Sequence, residues 1–319
     1  MAALEILAAG AVLAAGSAAT AARARAREAA AERAFPPLGR RIDVGGHSVH
    51  AVTEGTGPDL VLLHGASGSS REFTWNLMGR LAPRYRVTAF DRPGLGWSDA
   101  VPGATDPRVQ ADALRAAADR IGIRWPLVLG QSYGGAVALA WALADPATAG
   151  LVLVSGASMP WKGGLGAWYR IAERPLLRRM VIPLVAAFAS DRRLAAIVEG
   201  IFAPDPVPPG YAEAAGTPLA LRRATLLENA AQVNGLLPHV RAMSRLYPGL
   251  AMPIELVHGT ADTIVPLATH AEPFSRLAPT ARLSVIEGAG HMPHQSHPEA
   301  VIAAIDRAAA RAGLDPALR

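Results

Sequence analysis

Six short apolar runs recur along the chain, most of them closed by glycine: "DLVLLHG" from Asp59, "YRVTAFD" from Tyr85, "PLVLG" from Pro126, "LVLVSG" from Leu151, "IELVHG" from Ile254 and "RLSVIEG" from Arg282. Runs this short, with no polar alternation, suit strands buried on both faces, a setting found inside parallel sheets. Between them lie segments with helical periodicity over Arg71–Leu81, Pro107–Ile121, Gly135–Ala144 and Pro298–Ala312. Ahead of them, "RIDVGGHSVHAVTEG" alternates on either side of Gly45-Gly46 and reads as a hairpin of two further strands. Strands alternating with helices predict an α/β fold: a mostly parallel, doubly wound sheet of eight strands flanked by helices.

The rhythm breaks once. About 95 residues separate "LVLVSG" from "IELVHG" without a convincing strand, and structureless loops of that length are rare in compact domains. Residues 159–252 are therefore expected to form an inserted helical cap, punctuated by Pro175, Pro183, Pro204, Pro206, Pro208 and Pro209. That leaves residues 38–158 and 253–319 as the core. The cap segment "PLLRRMVIPLVAAFASDRRLAAIVEGIF" spaces its apolar residues helically with arginine pairs on the other side. It is expected to pack as a lid, and its basic, apolar character also suits docking on an anionic membrane.

The amino terminus stands apart. Ile6–Ala22 is an uncharged stretch of 17 residues, the lower limit for a spanning helix. Glu5 precedes it and the arginines follow, the reverse of a secretory signal, so residues 1–22 are expected to be an uncleaved anchor with the carboxy-terminal bulk in the cytoplasm. Residues 23–37 would then be a basic Ala/Arg-rich linker helix stopped by Pro36-Pro37. A soluble cytoplasmic protein carrying an alanine-rich helix is the alternative.

Charge and cysteine content narrow the chemistry. Positive charge gathers in two places, six arginines against two glutamates between Arg23 and Arg41 and eleven basic against six acidic residues from Trp161 to Leu250, and since the whole chain is only +5 the remainder is net acidic. Neither is a basic stripe interleaved with aromatics, so nucleic acid is not an expected partner. The chain has no cysteine, which removes disulfides, thiolate metal sites and cysteine nucleophiles together.

The stretch "LVLGQSYGGAVALAW" places Ser132 between a strand and a helix, with Gly130 and Gly134 two residues to either side. A serine on so tight a turn needs small neighbours there, because side chains would collide with the adjoining strand and helix. The turn aims Oγ outward and places the Tyr133 backbone N–H at a helix amino terminus, where a developing oxyanion is favoured. A serine hydroxyl needs a base, and the base needs a carboxylate to hold its tautomer. His291, in "GAGHMPH" after the last strand, lies at the same sheet edge, with His294 and His297 as competitors at the following helix start. Asp262, three residues past "IELVHG", is the candidate acid. The loop "LLHGASGSS" should provide a second oxyanion donor, with the Ala66 N–H the candidate and Ser67 or Gly68 the alternatives. His64 and Asp91 read as structural residues of their turns.

With these motifs in place, the chain from about Leu38 to Gly313 resembles the α/β-hydrolase family, in the branch with "HGxxG", "DRPGLGWSD", "GQSYGG", "HGxxDxxVP" and "GxGHxPHxxxPE". The resemblance implies a catalytic triad of Ser132, Asp262 and His291, oxyanion donors at Ala66 and Tyr133, and a lid formed by the insert. It implies no metal and no organic cofactor. Relatives that open epoxides or displace halide carry aspartate at the nucleophile position, so serine points instead to hydrolysis of a carboxylic ester through an acyl-enzyme. A carbon–carbon bond hydrolase, perhydrolase, thioesterase or lactonase remain alternatives on the same triad, and a noncatalytic ligand-binding protein is the rival from another class. The expected partner is a small molecule with a hydrophobic acyl group, with Trp75, Trp161, Trp168, Tyr169, Phe188 and Phe202 as candidate pocket lining.

Overall fold

The structure, a computed structural model, describes the backbone of residues 2–315 and the side chains of residues 15–315. The expected hairpin forms from β1 (Arg40–Asp43) and β2 (Ser48–Glu54), with Asp43 opposite Ser48 and a turn made by Gly45 and Gly46 at φ 78° and 90°. The six apolar runs become β3 (Asp59–Leu63), β4 (Arg86–Phe90), β5 (Leu127–Gln131), β6 (Gly150–Val154), β7 (Ile254–Gly259) and β8 (Ala281–Ile286). Their spatial order is β1-β2-β4-β3-β5-β6-β7-β8. The hairpin joins β4 antiparallel, and every later pairing is parallel.

Because β4 lies on one side of β3 and β5 on the other, the strand order reverses at β3. In open α/β sheets the crevice beyond the carboxyl ends of the strands at such a point is where sites form. The loops after β3 and β5 both open there.

The principal helices are α1 (Ala2–Ala34), α2 (Pro107–Arg120), α3 (Tyr133–Ala144), α4 (Ala167–Glu173), α5 (Pro175–Phe188), α6 (Asp191–Phe202), α7 (Arg223–Met243) and α8 (Pro298–Arg311). Alternate residues of one strand serve opposite cores, as the pleat requires. Val61 and Leu63 pack with Leu114 of α2 and Val137 of α3, whereas Leu60 and Leu62 pack with Ile305 of α8. Strands β3, β5, β6 and β7 are buried along their whole length. β8 departs from the expectation: Arg282 and Val285 are exposed, because the strand closes the sheet and has β7 on one side only. The expected helix Arg71–Leu81 is two short ones, Arg71–Thr74 and Leu77–Leu81, broken where Asn76 leaves helical geometry at φ −138°, which lets Phe73, Leu77 and Met78 reach one core.

Helices α4 to α7 fill the interval between β6 and β7, and no strand interrupts it among the described residues. α5 buries a narrower face than its periodicity suggests. Ile182, Ala186 and Ala187 are buried while Leu176, Met180, Leu184 and Phe188 face outward. The reason is its partner: Ala24 of α1 packs on Ala186 and Ala187, and small residues let two helices approach closely.

α1 runs unbroken to Ala34 and braces the cap. Arg23 Nε donates to Ala187 O at 2.9 Å and Arg27 Nη1 to Ala189 O at 2.6 Å, so arginines satisfy the carbonyls that end α5. Glu28 accepts from the Arg223 backbone N–H at 2.9 Å and from its Nε at 2.7 Å, at the start of α7. The segment beyond α1 is tied to the core by Trp97 Nε1 to Phe35 O at 3.1 Å and Arg71 Nη2 to Pro36 O at 2.6 Å. The anchor expected over residues 1–22 finds no support: no helix is long and apolar enough to cross a membrane among the described residues. The side chains of its first fourteen positions lie outside that description.

Candidate active site

β5 ends at Gln131 and α3 starts at Tyr133, leaving Ser132 alone on the turn with φ 52° and ψ −119°. A β-carbon on Gly130 would stand 2.7 Å from Gly135 Cα, and one on Gly134 would stand 2.6 Å from His64 O. Both lie inside van der Waals contact, which is why only glycine fits at either position. The turn is fastened by Ser132 N–H to Val154 O at 3.0 Å and by the Ala157 N–H to Ser132 O at 2.9 Å. Ser132 itself is half-buried.

The loop after β3 comes close to the serine: a β-carbon on Gly65 would lie 3.1 Å from Ser132 Cβ. Two of its candidate donors are engaged. Ser67 N–H donates to Asn229 Oδ1 of α7 at 2.7 Å, and Gly68 N–H to Gly65 O at 3.4 Å. The Ala66 and Tyr133 N–H groups make no hydrogen bond among the described residues. Those two donors are left free of internal partners.

His291 and Asp262 meet at the carboxyl edge of the sheet. His291 Nδ1 donates to Asp262 Oδ2 at 2.8 Å, and both residues are buried. The other carboxylate oxygen accepts from the Ile264 and Val265 N–H groups, each at 2.9 Å, and His258 Nε2 lies 3.3 Å from Oδ2. Burial alone would raise this carboxyl, but the hydrogen bonds from His258 and His291 and the Val265 N–H hold it well below the usual carboxylate range. Gln131, next to the serine, ties the two loops together by donating from Nε2 to His291 O at 3.3 Å. Ser132 Oγ makes no hydrogen bond to His291 among the described residues, and catalytic bonds of this kind often tighten only when substrate binds.

The competing residues are accounted for structurally. His64 accepts from the Arg92 N–H at Nε2 and donates from Nδ1 to Gly65 O, both at 2.9 Å, and burial takes its pKa down to about 3. Asp91 accepts from the Ser70 N–H at 2.6 Å, the Trp97 N–H at 2.7 Å and His50 Nδ1 at 2.8 Å. His294 is fully buried without a hydrogen bond and stands 3.9 Å from Glu72, and His297 shares a 2.9 Å bond with Ser296.

Of the candidate lining residues, Phe202 and Trp75 cluster through Tyr211 beside Met292, one residue past His291. Phe188 lies outward beneath Arg23, and Trp161 packs on His270. A cavity of about 840 Å³ between α1, α5 and α7 is bordered by Glu28, Arg178 and Arg223 and by none of Ser132, Asp262 or His291. No group of three metal-ligating side chains occurs among the described residues. Arg92 and Gln131 lie inside the quoted motifs "DRPGLGWSD" and "GQSYGG" without a role assigned to them there, and Asn229 carries no signal in the sequence.

A family model described as the alpha/beta hydrolase family matches residues 60–304. Over 263 residues the chain is 32% identical to the polyketide synthase ThaQ of Burkholderia thailandensis, a match that takes in 80% of this chain and 12% of that protein. Over 267 residues it is 30% identical to a pimeloyl-[acyl-carrier protein] methyl ester esterase of Xanthomonas axonopodis pv. citri, covering 81% of this chain and 98% of the relative. The solved structure of the esterase RhEst1 from Rhodococcus sp. ECU1013 matches with a TM-score of 0.65 at 25% identity, over 84% of this chain and 96% of that one.

Proposed function

Because the chain belongs to the alpha/beta hydrolase family, we propose that it is a serine hydrolase that cleaves a carboxylic ester through an acyl-enzyme. Ser132 Oγ attacks the ester carbonyl as His291 Nε2 takes its proton, and the resulting oxyanion lies against the N–H groups of Ala66 and Tyr133. The intermediate collapses, His291 returns the proton to the leaving alcohol, and an acyl group remains on Ser132. Water then attacks the acyl carbonyl with His291 again as base, releasing the acid and free serine. Asp262 keeps the His291 proton on Nδ1 and stabilises the imidazolium.

The observation that carries this reading is the 2.8 Å bond from His291 to a carboxylate held by two backbone N–H groups, at the sheet edge where the Ser132 turn opens. Two of the relatives are esterases by name, one acting on a methyl ester, which supports an ester substrate. The apolar cluster of Phe202, Tyr211 and Met292 beside the site supports a hydrophobic acyl group.

A fluorophosphonate probe should label Ser132, and p-nitrophenyl esters of graded chain length should be hydrolysed. Ser132→Ala should abolish both. A folded wild-type protein whose Ser132 resists the probe would instead favour a noncatalytic ligand-binding protein.

A further inference from the structure

Arg92, on the turn after β4, is wholly buried, and no carboxylate lies within ion-pair distance of its guanidinium among the described residues. Its four hydrogen bonds all go to neutral oxygens. Nε donates to His64 O and Nη2 to Gly65 O, each at 2.9 Å, and Nη1 donates to Gln110 Oε1 and Gln232 Oε1, each at 2.8 Å. A buried cation usually has an acid beside it. Here two buried glutamines stand where acids would be expected, and one of them, Gln232, comes from cap helix α7.

The acids nearby form no direct ion pair with it among the described residues. Burial lifts Glu72 to about 8, so near neutral pH it is mostly protonated. Asp91 is engaged by His50 and by two backbone N–H groups. Arg92 is lowered by the same burial only to about 10, and remains a cation.

The position of this charge relates it to the reaction. Gly65 C=O and Ala66 N–H are the two ends of one peptide group. Gly65 O accepts from Arg92 Nη2 and from His64 Nδ1, both at 2.9 Å. Donors at the carbonyl end polarise the amide and strengthen its N–H as a donor. The guanidinium carbon also lies 4.3 Å from the centroid of the Tyr133 ring, behind the second oxyanion donor.

We propose that Arg92 is a positioning residue for the oxyanion hole, an unpaired buried cation that polarises the Gly65–Ala66 peptide so that charge growing on the substrate oxygen meets a prepared positive field. The neutrality of Gln110 and Gln232 is part of the device. A carboxylate at either place would pair with the guanidinium and cancel its field. The inference rests on the serine-hydrolase reading.

The test uses an aryl trifluoromethyl ketone, which adds Ser132 to form a hemiketal whose oxygen titrates in the oxyanion hole, followed by 13C NMR across pH. Gln232→Glu leaves the guanidinium in place but pairs it. It should raise the hemiketal pKa by about one unit and lower kcat about tenfold with little change in KM, less than the hundredfold or more expected for losing an oxyanion donor outright. Arg92→Gln should do the same or more, and Arg92→Lys should recover part of the loss because it restores charge. If Arg92→Gln fails to fold, Gln232→Glu and Gln110→Glu decide the matter.

An unchanged hemiketal pKa and kcat in folded Gln232→Glu would overturn the proposal while leaving the triad standing. A wild-type protein unlabelled by fluorophosphonate would overturn the hydrolase reading instead, so the two failures are distinguishable.

Discussion

Replacing Asp262 with asparagine probes the site through a constraint visible in the structure. Asp262 Oδ1 accepts two backbone N–H groups, from Ile264 and Val265, each at 2.9 Å, while Oδ2 faces His291 Nδ1 at 2.8 Å. An asparagine of the same shape can satisfy the two backbone donors only with its oxygen. Its NH2 must then point at His291, whose Nδ1 is forced to accept. The ring proton moves to Nε2, where the reaction needs a lone pair. In a triad this wrong tautomer costs on the order of 10⁴ in kcat, or about 5.5 kcal/mol of transition-state stabilisation at about 1.36 kcal/mol per factor of ten. Stability should fall far less, because both backbone bonds survive. Steady-state hydrolysis of an aryl ester, measured beside a thermal melt, checks both halves. A folded Asp262→Asn variant retaining more than a tenth of wild-type kcat would refute the role given to Asp262.

Further outcomes follow from the same geometry. Gly134→Ala places a methyl group inside contact distance of Leu63 O and His64 O; it should cost roughly 1–3 kcal/mol of stability and, by displacing the oxyanion loop about an ångström, about a hundredfold in kcat. Calorimetry and kinetics showing neither loss would mean that the turn is looser than its packing indicates. Asn229→Ala frees the Ser67 N–H and should lower kcat about tenfold, as for a misplaced oxyanion loop, with Asn229→Asp partly restoring it because an acceptor remains; equal activity in all three proteins would remove the cap from the mechanism. Stability should depend on pH from both sides. His64 and His294 are held neutral by burial, at about 3, so their contribution is present above the unfolded value of 6.5 and is lost as pH falls toward 3. Glu72 is raised to about 8, so its contribution is present below 4.5 and is lost as pH rises through 8. Melting temperatures across pH should show both declines, and Glu72→Gln should flatten the alkaline one alone.

The parts of the molecule that were readable beforehand are those whose cause is local. Val61 and Leu63 announce a buried strand because their neighbours are equally apolar, and Gly130 and Gly134 announce a sharp turn because nothing larger fits beside Ser132. Asp262 and His291 were legible because each follows a strand and therefore falls at one sheet edge. What escaped depends on distance along the chain. The partners of Arg92 include Gln110 and Gln232, which lie 18 and 140 residues away, and no local periodicity marks a glutamine as the neighbour of a cation. The exposure of Arg282 and Val285 followed from β8 taking the outermost place, which strand composition does not encode. Arg23 and Arg27 looked like the flank of a membrane segment, yet each is spent on carbonyls at the end of α5, 160 or more residues away.

The first helix therefore has a practical meaning for anyone shortening the chain. Leu38, just before the sheet, looks like a natural place to begin a minimal version. Cutting there would strip Ala186 and Ala187 of their neighbour Ala24, leave the carbonyls of Ala187 and Ala189 uncapped, and take from Arg223 its carboxylate partner Glu28. Helix α5 would be left resting against α4 and α7 without the helix that covers its Ala186–Ala187 face. The smallest piece that keeps its roof seated starts well upstream of the sheet, before Arg23.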